Sequence, residues 1–88
     1  MIAALLELLS PRYDTVTVVR SRHGDIELTL RRDQADDLGR RLDVRSPLSM
    51  GLKDAGVHVS GGSEVNGVSN LHLSDLAGIR LVELLAAH

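Results

Sequence analysis

The chain switches between two hydrophobic rhythms, one of period two and one of helical period. Residues 14–20 (DTVTVVR) and 25–31 (DIELTLR) alternate, are rich in β-branched side chains, and flank residues 21–24 (SRHG). This predicts a β-hairpin with Gly24 in the left-handed position of a three-residue loop. A turn centred on His23 sets Val18 opposite Leu28 and Val16 opposite Leu30. The apolar face is then Val16, Val18, Ile26, Leu28 and Leu30, and the other face carries Thr15, Thr17, Val19, Glu27 and Thr29. Residues 57–60 (VHVS) and about 69–73 (SNLHL) predict a second hairpin, joined by a loose glycine-rich connection over 61–68.

Helical spacing governs the rest. Residues 1–9 (MIAALLELL) are good helix formers, apolar all round except at Glu7, and Ser10-Pro11 ends the run. Residues 33–42 (DQADDLGRRL) predict an amphipathic helix capped by Asp33, with Asp36–Arg40 and Asp37–Arg41 as i,i+4 pairs. Its buried stripe is narrow: Ala35, Leu38 and Leu42. Ser46-Pro47 reads as a cap followed by proline at the first helical position, opening a short helix that stops at Gly56. Ser74 caps a last helix over 75–87 (DLAGIRLVELLAA), whose only polar strip is Arg80 and Glu83. A helix so apolar is covered on more than one side.

The element order repeats, and sliding the chain by 43 residues aligns eight identities. They are Leu5/Leu48, Leu9/Leu52, Val16/Val59, Gly24/Gly67, Leu28/Leu71, Leu30/Leu73, Leu38/Leu81 and Leu42/Leu85. Each falls at an expected core position or turn glycine. The expected fold is α+β: a four-stranded, mostly antiparallel sheet with helices packed on one face, built from two αββα halves, 1–44 and 45–88. Neither half is large enough to hold a core alone, so both share one domain spanning 1–88.

Composition sharpens this picture. There is no cysteine, so disulfides and thiolate metal sites are excluded. Sixteen leucines, no Phe or Trp, and Tyr13 as the one aromatic make the expected core aliphatic. The formal charge of −2 shows no excess that would point to nucleic acid or a membrane. Nine arginines against one lysine hint at a GC-rich bacterium or its phage. Residues 1–9 lack a basic start and a small-residue cleavage site, and are too short to cross a bilayer. The expected location is therefore cytoplasmic.

Candidate chemistry is thin. His58 and His72 are expected on one face of the second hairpin, where Glu64 or Glu27 would be the third ligand of a metal. No HxxxH, HExxH or HxH spacing supports this, and no metal or other cofactor is expected. No serine lies in a nucleophile elbow, and Gly61-Gly62-Ser63 lacks the helix start and lysine of a phosphate loop. A small shallow domain also offers little room for a pocket of a few hundred cubic ångströms, so neither an enzyme nor a small-molecule site is expected.

Two partner surfaces remain. The first is apolar: Leu76, Ile79, Val82 and Ala86 on the last helix, with Leu5 and Leu8 on the first. It points to a non-enzymatic interaction module, forming a homodimer through the last helix or binding another protein. An accessory protein of a GC-rich bacterium or phage fits that description. The alternative is a nucleic-acid-binding regulator using the hairpin tip Arg20, Arg22 and His23 with Arg31 and Arg32. Seven acids among residues 12–45 and the lack of stacking aromatics weigh against it.

Overall fold

In the computed structural model, which describes residues 1–88, the chain runs α1 (Ile2–Leu9), β1 (Thr17–Arg20), β2 (Ile26–Arg31), α2 (Arg32–Arg41), α3 (Leu48–Asp54), β3 (Val59–Val65), β4 (Val68–Leu73) and α4 (Asp75–Ala86). The period-two rhythm builds the centre. Ile26, Leu28 and Leu30 of β2 and Leu71 and Leu73 of β4 are buried on one face of the sheet, while Glu27, Thr29, Asn70 and His72 turn to the other. The sheet order is β1-β2-β4-β3, and every neighbouring pair is antiparallel. The fold is α+β, as expected. α1 lies against β1 and α4, α2 against β2 and α3, α3 against β3, and α4 against β4. Eighteen buried apolar residues form one cluster between the helices and the sheet. No helix is long and apolar enough to cross a membrane.

The first hairpin keeps its expected register, with Val18 opposite Leu28, but its outer strand is shorter than the alternation implied. Pairing starts at Thr17, so Val16 does not oppose Leu30 in a ladder. The Val16 N–H donates instead to the Tyr13 carbonyl at 3.2 Å, while Asp14 and Thr15 are tied to Gln34 of α2. Gly24 takes the left-handed conformation expected of it (φ +88°).

The second hairpin is a larger correction. Residues 61–65 are not a loose connection but most of β3, and the turn is the two-residue Asn66-Gly67. Both turn residues have positive φ (55° and 75°), the requirement of the turn that matches strand twist. A register shift between Val59 and Gly61 places Gly61, not Ser60, opposite His72. Gly61-Gly62-Ser63 therefore lies in an edge strand and forms no anion nest.

Helix ends differ from expectation for local reasons. Asp33 does not cap α2; it sits in the first turn and takes a two-point contact from Arg31 (3.1 Å each). The helix starts directly at the end of β2, where the Arg32 N–H donates to the Gly67 carbonyl at 2.8 Å. A neighbouring turn thus satisfies one of the N–H groups that a helix start leaves without an intrahelical partner. The Asp36–Arg40 and Asp37–Arg41 pairs do not form; Asp37 turns to Arg12 and Tyr13, with Arg40 3.8 Å away. Pro47 occupies the cap position of α3 rather than its first turn, after a cis Ser46-Pro47 peptide.

The eight aligned pairs fall in matched environments. Leu5/Leu48, Leu9/Leu52, Leu28/Leu71, Leu30/Leu73, Leu38/Leu81 and Leu42/Leu85 are all buried. Val16 and Val59 both pack half-buried against the core, and Gly24 and Gly67 both have positive φ. Leu28 and Leu71 also oppose each other across the β2–β4 pair. Shifting this register by 43 residues returns it to itself: Ile26 opposite Leu73 becomes Ser69 opposite Leu30. The irregularity in β3 breaks the match between the outer strands.

Candidate functional site

Ser74 fixes where α4 begins, its Oγ accepting from the Ala77 N–H at 3.1 Å. Ala77, Gly78, Leu81 and Leu85 then face the core. α1 packs on α4, and Gly78 gives the Ile26 side chain of β2 room to lie close against α4. A Cβ at that position would stand 2.8 Å from Ile26 Cδ1 and 3.2 Å from Met1 Sδ. On the opposite side Leu76 is 68% and Ile79 44% exposed, in a stripe with Arg80, Glu83, Ala86 and Ala87.

The apolar surface expected from sequence therefore divides. Leu76, Ile79 and Ala86 are exposed, and Val82 is half-buried against the core. Leu5 is fully buried and belongs to the core, because α1 lays its Leu5–Leu9 stripe inward between β1 and α4. Leu8 is half-buried.

The fold itself offers a control for the exposed stripe. α2 follows β2 as α4 follows β4, and the two helices bury matching residues, Leu38 with Leu81 and Leu42 with Leu85. Forty-three residues before Leu76 and Ile79 stand Asp33 and Asp36, both in α2, whereas the residue aligned with Ala86, Asp43, lies past the end of α2 with a positive φ. Asp33 and Asp43 are exposed, and Asp36 is half-exposed. At the two helix positions the first half is acidic and the second is apolar and exposed.

The arginines of the nucleic-acid reading are mostly engaged. Arg20 donates to Asp75 (3.0 Å) and to the Gly24 carbonyl (2.6 Å). Arg31 pairs with Asp33, and Arg32 lies 3.7 Å from Glu64. Arg22 and His23 are exposed at the tip. Carboxylates beside three of the four arginines reduce the positive field a phosphate backbone would meet.

His58 and His72 are not cross-strand neighbours, because Gly61 lies opposite His72. His58 precedes β3 and lines an open cleft of about 310 Å³ with Gly56, Ser74, Leu76, Ala77 and Arg80. His72 lies on the open face of the sheet, its Nδ1 3.1 Å from Asp25 Oδ2. Ser21 and then His72 hold the Asp25 carboxyl below its usual range. The expected third ligands are occupied as well: Asn70 Nδ2 donates to Glu27 Oε1 (2.8 Å) and to Thr29 Oγ1 (2.9 Å), and Glu64 faces Arg32. No group of three or more His, Asp and Glu gathers at metal-binding distance.

The clefts are open depressions of the surface rather than enclosed pockets. The largest cleft, about 450 Å³, is lined by Arg12, Tyr13, Arg31, Asp33, Gln34, Asp37 and Arg40. Tyr13, buried, donates its hydroxyl to Asp37 Oδ2 at 2.8 Å, and Arg12 Nε donates to the same oxygen at 3.1 Å. Arg12 first, then Tyr13, hold the Asp37 carboxyl low. Burial, reinforced by donation to Asp37, pushes the Tyr13 phenol up, while nearby Arg41 opposes. This cluster was not read from the sequence, because its members lie 24 and 25 positions apart and follow no motif. It joins the start of the first hairpin to α2, a structural task. A comparison with protein families, curated proteins and solved structures finds no match to this chain.

Proposed function

We propose that the protein is a non-enzymatic protein-interaction module that works through the outer face of α4. One observation carries the reading: Leu76 and Ile79 are exposed on α4 where the matching positions of α2, Asp33 and Asp36, are acidic. A fold that accepts aspartate at those places has no packing need for large apolar residues there. Apolar side chains clustered in water mark a surface that another molecule covers. The matched burial and the self-consistent β2–β4 register support a further element of the reading, descent of both halves from one duplicated αββα unit. In that descent the second copy of the helix gained an apolar outer face.

Site-specific photo-crosslinking tests the proposal. A photoreactive residue at position 76, in the protein inside the cells that make it, should yield protein adducts. The same residue at position 33 should yield none. Equal labelling from both positions, or none from 76, overturns the proposal.

A further inference from the structure

We infer that the occupant of this face is a second copy of the chain, docked with the two α4 helices antiparallel. The inference rests on the docking role of α4 and adds the partner and its orientation. Two properties of the stripe carry it, one of size and one of charge.

Large side chains lie at one end and small ones at the other. Leu76 and Ile79 stand near the start of α4, while Ala86 and Ala87 stand at its end. An antiparallel pair related by a two-fold axis sets Leu76 against the partner's Ala86 and Ala87, so each protrusion meets a depression. A parallel pair stacks leucine on leucine and leaves the alanine end open.

Charge selects the same arrangement. Arg80 and Glu83 lie in the middle of the stripe, and neither joins any of the chain's ion pairs. An antiparallel crossing between residues 81 and 82 puts Arg80 beside the partner's Glu83, and Glu83 beside the partner's Arg80. The face is therefore self-complementary, as an isologous interface must be. A parallel crossing would set Glu83 against the partner's Glu83.

The contact is modest in area. α4 has 12 residues and is about 18 Å long, so a helix pair alone falls short of the roughly 800 Å² per partner of a standard interface. The expected state is a monomer–dimer equilibrium that shifts with concentration.

Sedimentation equilibrium from about 5 to 500 µM, at low and at high salt, is the test. The wild type should dimerise, more weakly at high salt. Arg80→Glu alone and Glu83→Arg alone should each weaken dimerisation about tenfold or more, since each makes the face single-signed. Mixing those two variants should restore a dimer, as should Arg80→Glu with Glu83→Arg in one chain. Circular dichroism of each variant shows that α4 is intact. A wild type that stays monomeric at the highest concentration overturns this inference. So does a dimer that the charge variants leave unchanged, or one that neither mixing nor the double change restores. Crosslinks from position 76 to a different protein, with a monomeric wild type, would sink this inference alone. No crosslinks from position 76 would remove the docking role beneath it.

Discussion

Tyr13 is the residue on which the first half of the molecule turns. It is the only aromatic side chain, it is buried, and its hydroxyl ends on Asp37. The bond is part-buried and its acceptor stays open to water, so Tyr13→Phe should lower the unfolding free energy by about 1 kcal/mol, the ordinary worth of a hydrogen bond. Urea denaturation measures it; a change within about 0.5 kcal/mol would show that the hydroxyl does not tie α2 to the loop before β1. The ionisable groups set a pH window as well. Asp25 and Asp37 have depressed folded values, so the stability they contribute is complete above the ordinary carboxylate range. It is lost as pH falls through their lowered values. Tyr13 has a raised folded value, so its contribution is complete below the ordinary phenol value near 10 and is lost as pH rises through the raised one. Denaturation midpoints followed across pH should fall at both ends. Asp37→Asn should flatten the acid limb, and an unchanged acid limb in that variant would contradict the assignment.

At the scale of elements, the sequence was legible where a rule is local and obscure where a distant group decides. The alternation in 26–31 places β2 and its burial, and Ser74 caps α4, because both depend on neighbours in the chain. The Asn66-Gly67 turn was legible too, since Asn-Gly is the strongest short hairpin signal, but the surrounding glycines and serines read as a loop. What propensity disfavours, pairing with β4 enforces: Gly61, Gly62 and Ser63 are strand residues because Asn70, Leu71 and His72 lie opposite. The start of α2 could not be placed from propensity, since the group that receives its first N–H is the Gly67 carbonyl of the other half. Two glycines separate local from packing effects. Gly67 needs a positive φ but has open space around it, so Gly67→Ala should cost only about 1 kcal/mol. Gly78 lies under the side-chain ends of Ile26 and Met1, so Gly78→Ala presses on the buried Ile26 of β2 and should cost more, about 1–3 kcal/mol. The reverse order in equilibrium unfolding would show that the Ile26 and Met1 side chains give way freely over α4.

At the scale of the whole molecule, helices cover one face of the sheet, and their inner sides carry the core. The outer side of α4 is left over. Sequence pattern marked that surface but could not divide it, because Leu5, Val82 and Leu76 read alike along a leucine-rich helix. Only the packing of α1 between β1 and α4 buries the first, half-buries the second and exposes the third. The nucleic-acid reading weakens at this scale for a similar reason: Asp75 and Glu64, from the second half, lie against Arg20 and Arg32 of the first. The central claim is that Leu76 and Ile79 serve a partner and not the fold. Equilibrium unfolding of the Leu76→Asp/Ile79→Asp variant, beside the wild type at about 2 µM to keep association out of the result, tests it most directly. The account predicts unfolding free energies within about 0.5 kcal/mol of each other, as for surface positions away from packed contacts. A loss of about 2 kcal/mol or more would mean that the two side chains belong to the core, and would contradict it.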